Sequence, residues 1–450
     1  MSYKKEAYVI QHYADICTMR NSVFQLALLA SPVLAQVPIN GPMLGYTDMF
    51  EATVWMQCPG PCNARLEYWE LDRPDSMLTT AEQRSQPLNA NAMDFVVAPL
   101  LPGTTYGYRV LLEGKPIDVG QPLTFKTQPL WKFRSAPPDL TFALGSCAYI
   151  GEPVYDRPGK PYGSGYEIFD AIAATNPDLM LWLGDNMYLR EPDWGTRTGY
   201  LHRYTHARST PQLQRLLRST QHYAIWDDHD FGSNDADGSF VNSAIAKDMF
   251  DLFWPNPTCG VTGANGITSM FTYADVDVFL MDDRTFRVPG DLKTSTPAML
   301  GNAQLDWLIR ALKYSDATFK IVAIGSPVLN PNAVYENYAT MPDERTELLR
   351  RIEVEGIKGV VFLTGDRHFT ELTELDIADG RKLYDLTCSP LTSGPYSPKE
   401  KNELRVEGSL FTERNFATIA VTGKTKERVL TIRIFDAAGK EQWSHAIQQE

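Results

Sequence analysis

Residues 179–188 read LMLWLGDNMY. Five large apolar residues in a row, the mark of a strand buried on both faces, stop at a glycine. A carboxylate, Asp185, and a phenol, Tyr188, then arrive together at the strand's end. The same rhythm recurs in TFALGSC (141–147), YAIWDD (223–228), VDVFLMDD (276–283), FKIVAIGS (319–326) and GVVFLTGD (359–366). Helical stretches alternate with these runs: SGYEIFDAIAATN (164–176), TPQLQRLLRST (210–220), AQLDWLIRALKYS (303–315) and DERTELLRRIEVEG (343–356). Strand–helix alternation predicts a layered α/β domain over 138–450, with helices packed on sheets. The chain closes on a predicted β-hairpin at 428–447.

Upstream the pattern differs. Between 36 and 130 the strands are short and broken by Gly, Pro and Asn: ATVWMQ (52–57), ARLEYWEL (64–71), FVVAPL (95–100), YGYRVLLEG (106–114) and LTFKTQ (123–128). Partial alternation at regular spacing predicts an antiparallel β-sandwich. Its LLPGTTYGYRV stretch (100–110) resembles a fibronectin type III-like corner, where a tyrosine locks a strand entry. The Pro-bearing QPLWKFRSAPPD (128–139) is the expected linker.

Residues 19–36, MRNSVFQLALLASPVLAQ, carry one Arg, a short apolar run and a small-residue site at Ala35. That layout predicts a signal peptide over 19–35, an over-extended start over 1–18, and a mature chain without a transmembrane segment. No twin-arginine pair precedes the run, so the general export route is expected, to the periplasm or the exterior. Six cysteines are present; Cys17 precedes the cleavage point, leaving Cys58, Cys62, Cys147, Cys259 and Cys388. Cys58 and Cys62 bracket a Pro-Gly-Pro turn and suit a short-loop disulfide in an oxidising compartment. The mature count is odd, which leaves at least one thiol outside a disulfide, and Cys259 is read as free or paired.

The 450 residues are 43% hydrophobic and 22% charged, with a formal net charge of −13. That composition has ample length for two domains. No long basic run is present, which argues against nucleic acid as a structural partner. An acidic chain can still act on a phosphoester where bound cations reverse the local field.

Polar residues stand at the carboxyl ends of the apolar strands: Ser146 and Cys147, Asp185, Asp227 to Asp230, Asp282 and Asp283, Asp366 and His368. Ligands bind at those ends in α/β sheets. One such Asp is commonly a cap or turn residue. Several brought together would repel one another and resist ionising, so a cluster of Asp185, Asp228 and Asp366 calls for cations. Cys147, Tyr188, His368 and Asp185 suit a strongly charged transition metal, best iron(III). Asp185, Asp366 and Asn234 suit an oxygen-loving ion such as calcium, so Asp185 would bridge two unlike metals.

The set SC (146–147), GDNMY (184–188), WDDHDFGSND (226–235), DDRTFR (282–287) and GDRHF (365–369) resembles, in order and spacing, the PhoD-type alkaline phosphatases. These belong to the calcineurin-like, purple-acid-phosphatase-related metallophosphoesterases. The Asp-x-His opening of the wider superfamily is missing, and Cys147 takes its place as in the PhoD-type branch. The resemblance implies a fibronectin-III-like β-sandwich followed by a layered αββα domain. It implies iron ligated by Cys147, Asp185, Tyr188 and His368, and one or two calcium ions, with ligands Asp185, Asn234 and Asp366. Asp228 and His229 stand where the superfamily has an Asn-His pair, so Asp228 is a ligand or a neighbour of one. The DDHDFGSND stretch departs from the DDHE followed by two asparagines of many relatives.

The implied reaction is phosphoester hydrolysis of a small-molecule or polymeric substrate, with a metal-held hydroxide attacking phosphorus in line. His229 is expected to stabilise or protonate the leaving alkoxide, beside Asp228. Arg284 and, less so, Arg367 are candidates for a phosphoryl oxygen, against a reading of both as salt-bridge partners. Two alternatives are a phosphodiesterase acting on nucleotides, phospholipids or teichoic-acid-like polymers, and a non-catalytic calcium-dependent surface-binding protein. A structural calcium site would have no need of Cys147, Tyr188 and His368. His202, His206 and His222 read as structural, Trp182 and Trp226 as core, and Cys388 as a small buried residue.

Overall fold

The alternating runs assemble into two large sheets that face each other. The structure, a computed structural model, describes residues 40–258, 260–262 and 265–450. The expected signal segment and over-extended start, with Cys17 and Cys259, lie outside the described residues. One sheet of nine strands runs, in spatial order, Glu441–Gln448, Val429–Asp436, Asn415–Thr422, Leu140–Gly145, Leu179–Leu183, Gln221–Ile225, Asn40–Thr47, Ala52–Gln57 and Ala92–Val97. The facing sheet of six runs Ser269–Tyr273, Val276–Leu280, Phe319–Ala323, Val360–Thr364, Lys382–Thr387 and Glu371–Asp376.

Period-two alternation decides which side chain enters which layer. Val278, Leu280, Ile321, Ala323, Val361 and Leu363 point into the core between the large sheets. Their neighbours Phe279, Met281, Val322 and Phe362 pack outward, against the helices Gly301–Tyr314 and Pro342–Val354. Helices Ile168–Ala174 and Pro211–Ser219 pack on the outer face of the nine-stranded sheet, where Phe169 meets Trp182 and the Leu216 carbonyl meets His222. The layered α/β expectation is met. Among the described residues no helix is long and apolar enough to cross a membrane.

The N-terminal strands form a sandwich with a third sheet, in which Asn63–Glu70 and Thr105–Leu112 pair antiparallel. Leu66, Tyr68, Tyr108 and Val110 from that sheet meet Val54, Met56, Phe95 and Val97 in one core. The backbone N–H of Leu101 donates to Tyr106 Oη at 2.9 Å, the expected tyrosine-locked corner. Cys58 and Cys62 are disulfide-bonded, and Cys147 and Cys388 are free and buried. The strand Asn40–Thr47 was not predicted, its NGPMLGYT being interrupted by two glycines and a proline. It pairs parallel to Gln221–Ile225, so the sandwich and the α/β layers share one sheet. Ranges 36–130 and 138–450 stand as a proposed division within that shared architecture.

Asp94 supplies a stability test. It sits on Ala92–Val97 with Oδ1 buried and unpartnered, and burial pushes its carboxyl up to about 7. A raised folded value contributes stability that is complete below the unfolded value of about 3.9 and lost as pH rises through the folded one. Asp94→Asn is therefore expected to raise the melting temperature near pH 8 and barely change it near pH 4. Equal shifts in thermal melts at the two pH values would rule out this titration.

Candidate metal centre

Each apolar strand halts abruptly at the same rim. Cys147 follows Leu140–Gly145, Asp185 follows Leu179–Leu183, Asp228 follows Gln221–Ile225, and Asp366 and His368 follow Val360–Thr364. Cys147, Asp185, Asp366 and His368 all adopt left-handed backbone, with φ of 60°, 52°, 64° and 56°. Such conformations cost non-glycine residues about 1–3 kcal/mol each and gather at functional sites. Two glycines let the strand ends close up. A Cβ on Gly184 (φ 88°) would lie 2.7 Å from Asp227 Cβ, and one on Gly365 would lie 2.6 Å from Ser146 Oγ.

The donors converge. One Asp185 oxygen, Oδ2, accepts from the Tyr188 hydroxyl at 2.9 Å and lies 3.6 Å from Cys147 Sγ. Tyr188 Oη is also 3.2 Å from His368 Nε2. The other oxygen, Oδ1, accepts from the His229 backbone N–H at 3.2 Å. Cys147, Asp185 and His368 thus form one set with ligand atoms within 4.8 Å of each other, and Asp185, Asp228 and His229 form another. A third comprises Asp227, Asp228 and Glu336. Asp366 is half-buried, with its Oδ2 buried and unpartnered, and lines the cleft above, as does the exposed Asn234. The cleft encloses about 870 Å³.

Burial dominates the electrostatics. It pushes the Cys147 thiol up to about 12 and raises Tyr188 well above the usual phenol range. Asp185 is raised well above the carboxylate range by burial and then by Asp228 and Cys147. Asp366 is raised likewise by burial and by Asp227 and Glu336. Burial pushes His229 down to about 3 and His368 to about 4, so both imidazoles are neutral near pH 7. Multivalent cations would reverse the penalty on the thiol, phenol and carboxylates and leave the neutral imidazoles free to ligate. The donor set and the orphaned Asp366 oxygen fit metal ions.

Supporting contacts fix the donors. His368 Nδ1 lies 2.8 Å from the Gly394 carbonyl, the kind of outer contact that sets a ligand's tautomer. Ser389 Oγ donates to Cys147 Sγ at 3.0 Å and accepts from the His368 backbone N–H at 3.0 Å. Ser389 escaped sequence reasoning because it follows a strand, Lys382–Thr387, whose KLYDLT pattern gave no buried-run signal. Cys388 beside it is buried 3.7 Å from the Leu144 carbonyl, away from the donors' ligand sets.

Arg284 requires correction. Expected to offer its guanidinium to a phosphoryl oxygen, it is fully buried beneath the site. Its Nε donates to Asp227 Oδ1 at 2.7 Å, and Nη1 and Nη2 donate to Glu336 at 2.8 and 2.7 Å. Nη2 also meets Asp227, and Nη1 the Ala236 carbonyl. No donor is left for a substrate. Arg367 does line the cleft, held by Asn337 at 2.7 Å and by Glu400, with the Tyr335 ring 4.6 Å away. Arg287 and Glu336, joined at 2.8 Å, line the cleft and were missed. Arg287 ends the quoted DDRTFR, whereas Glu336 sits in a loop with no motif to mark it.

His202, His206 and His222 make structural contacts. His202 Nε2 meets Glu152 at 3.0 Å and His206 Nε2 the Gly151 carbonyl at 3.0 Å. His222, fully buried, lies between Trp182 Nε1 at 3.0 Å and the Leu216 carbonyl at 3.1 Å.

Residues 142–426 match the family model of the PhoD-like phosphatases. The chain is 22% identical over 425 residues to alkaline phosphatase D of Bacillus subtilis (strain 168), covering 80% of this chain and 69% of that protein. Among solved structures, PhoD superposes with a TM-score of 0.76 at 17% identity, covering 93% of this chain and 92% of that one. A purple acid phosphatase from yellow lupin (Lupinus luteus) seeds gives 0.68 at 10% identity, covering 92% and 75%.

Proposed function

Because the chain belongs to the PhoD-like phosphatase family and is a phosphoric ester hydrolase, we propose that its strand-end centre works with one iron(III) and one or two calcium ions. Cys147, Asp185, Tyr188 and His368 hold the iron. Asp185, Asp228 and Asp366 hold calcium, with Asn234 reaching in from the exposed wall of the cleft. The observation that carries this reading is Asp185, whose carboxylate belongs to a thiol–imidazole donor set on one side and a carboxylate-rich set on the other. Thiolate and phenolate favour a hard, highly charged transition ion, and carboxylate oxygens favour calcium.

When bound, the cations supply positive charge to the phosphoryl oxygens and lower the pKa of the attacking water. The protein's own part is positional. Asp228 is pinned by the backbone N–H groups of His229 at 2.9 Å and Asp235 at 2.7 Å, so its carboxylate cannot swing away. His229, with its Nε2 4.0 Å from Asp228 Oδ2, faces the cleft and donates a hydrogen bond to the departing ester oxygen. Arg367 and Arg287 line the wall, each paired with a glutamate, and Arg287 Nη1 remains without a partner as a donor for an anionic ester.

His229→Gln is expected to lower kcat about a hundredfold for alkyl phosphates, whose leaving oxygens need help, and less for p-nitrophenyl phosphate. Equal losses on both, in steady-state assays, would remove His229 from the leaving-group side. Comparison of p-nitrophenyl phosphate with its bis-ester assigns monoester or diester preference. Strong diester turnover beside negligible monoester turnover would replace the monoesterase reading. Export is part of the proposal, supported by the 19–35 pattern and by the Cys58–Cys62 disulfide.

A further inference from the structure

A second, smaller cleft of about 240 Å³ meets the main one at Tyr162, His229 and Asn234. Its inner wall carries Arg190, which directly follows the GDNMYL stretch and is 7% exposed. The Arg190 guanidinium lies 4.6 Å from the Tyr149 ring centre and 5.7 Å from that of Tyr188, and Nε donates to Tyr149 Oη at 3.1 Å. The acids around it are occupied elsewhere. Glu191 pairs with Arg157, while Asp193 pairs with Arg203 at 2.8 Å and receives only the backbone N–H of Arg190. Asp156, on the same cleft, accepts from Tyr149 Oη at 2.6 Å and from the Glu152 N–H at 2.9 Å. Among the described residues Arg190 has no ion pair, and Lys160 adds an exposed cation at the cleft's mouth.

A buried cation without a direct ion pair is costly, and a ligand anion would complete it. Asp185, Asp228 and Asp366 line only the main cleft, whereas Tyr188 lines the second and His229 and Asn234 line both, so the Arg190 pocket adjoins the centre through the Tyr188 wall. We propose that Arg190 forms a subsite for a second anionic group, a phosphate or a carboxylate, carried by the phosphoester substrate. The inference rests on the phosphoesterase reading of the adjoining centre. Planar guanidinium suits such an oxyanion, and the Tyr149 and Tyr188 rings hold its plane in place.

The test uses stable phosphonates on the metal-loaded full chain, with binding read by calorimetry rather than turnover. Alkylphosphonates of three to six carbons are compared with ω-phosphonocarboxylates and α,ω-bisphosphonates of equal length. The wild type is expected to prefer the doubly anionic ligands by about ten- to a hundredfold at the best-fitting length. Arg190→Met should erase that preference, and Arg190→Lys should keep part of it. Which of the two anions is preferred identifies the group the subsite takes. No preference in the wild type, or a preference that survives Arg190→Met, overturns the subsite. Phosphoester turnover by the wild type is scored separately, so its absence would strike the reading of the centre and leave the Arg190 result to stand alone.

Discussion

Asp185→Asn is expected to lower kcat/KM by about a thousandfold or more, because one carboxylate serves both donor sets. The amide keeps the shape and can still accept from Tyr188. It loses the charge that two cations would share, and with its oxygen kept on Tyr188 its Nδ2 would face the His229 backbone N–H, itself a donor. The loss should come from chemistry and not from unfolding. Burial and Asp228 already hold the Asp185 carboxyl well above its usual range in the protein alone. Replacing it with a neutral group removes repulsion, so Asp185→Asn should melt no lower than chelator-treated wild type. Activity within about tenfold of wild type, with metal content unchanged, would refute the bridging role.

Arg284→Met should damage the fold instead. The arginine is fully buried between Asp227 and Glu336, and removing it strands Asp227 away from water and leaves Glu336 with Arg287 as its remaining cation. Breaking a buried pair by deleting one partner costs about 3–5 kcal/mol. Burial would raise the Glu336 carboxyl, yet Arg284 and Arg287 outweigh it and hold the group at about 2. A depressed folded value gives stability that is complete above the unfolded value of about 4.3 and is lost as pH falls toward 2. The penalty of Arg284→Met should therefore be larger near pH 7 than near pH 3, in denaturant titrations at both. A surface-like change below about 0.5 kcal/mol would show that the network is not holding this part of the rim.

The two predictions separate what was readable from what was not. LMLWLGDNMY gave both its strand and its donors, since a buried run that ends in Gly-Asp leaves few other roles for the acid. Five of the six ligand candidates stand just past strand ends, where topology gathers them, and Asn234 lies beyond the short helix Asp228–Phe231. Arg284 failed for a physical reason. A paired buried arginine and a substrate-facing one look alike in sequence, because the counter-charge comes from Glu336, a loop residue 52 positions away. Arg190 lay hidden for the opposite reason, being a cation whose neighbouring acids are claimed by Arg157 and Arg203. The strand Asn40–Thr47 was concealed by its glycines and proline, though its pairing with Gln221–Ile225 joins the sandwich to the sheet that bears the site. Asp228 and Asn234 could not be ranked from spacing. They differ in burial, Asp228 being buried and Asn234 standing on the exposed wall of the cleft.

The central claim is that Tyr188 and Cys147 hold iron(III) while Asp185 bridges to calcium. The most direct measurement is elemental analysis of the purified mature protein together with its visible absorbance, on wild type and Tyr188→Phe. An iron(III) phenolate absorbs visible light, so the wild type should be coloured with about one iron per chain, and Tyr188→Phe should bleach. A colourless, iron-free wild type with full phosphoester activity would contradict the account.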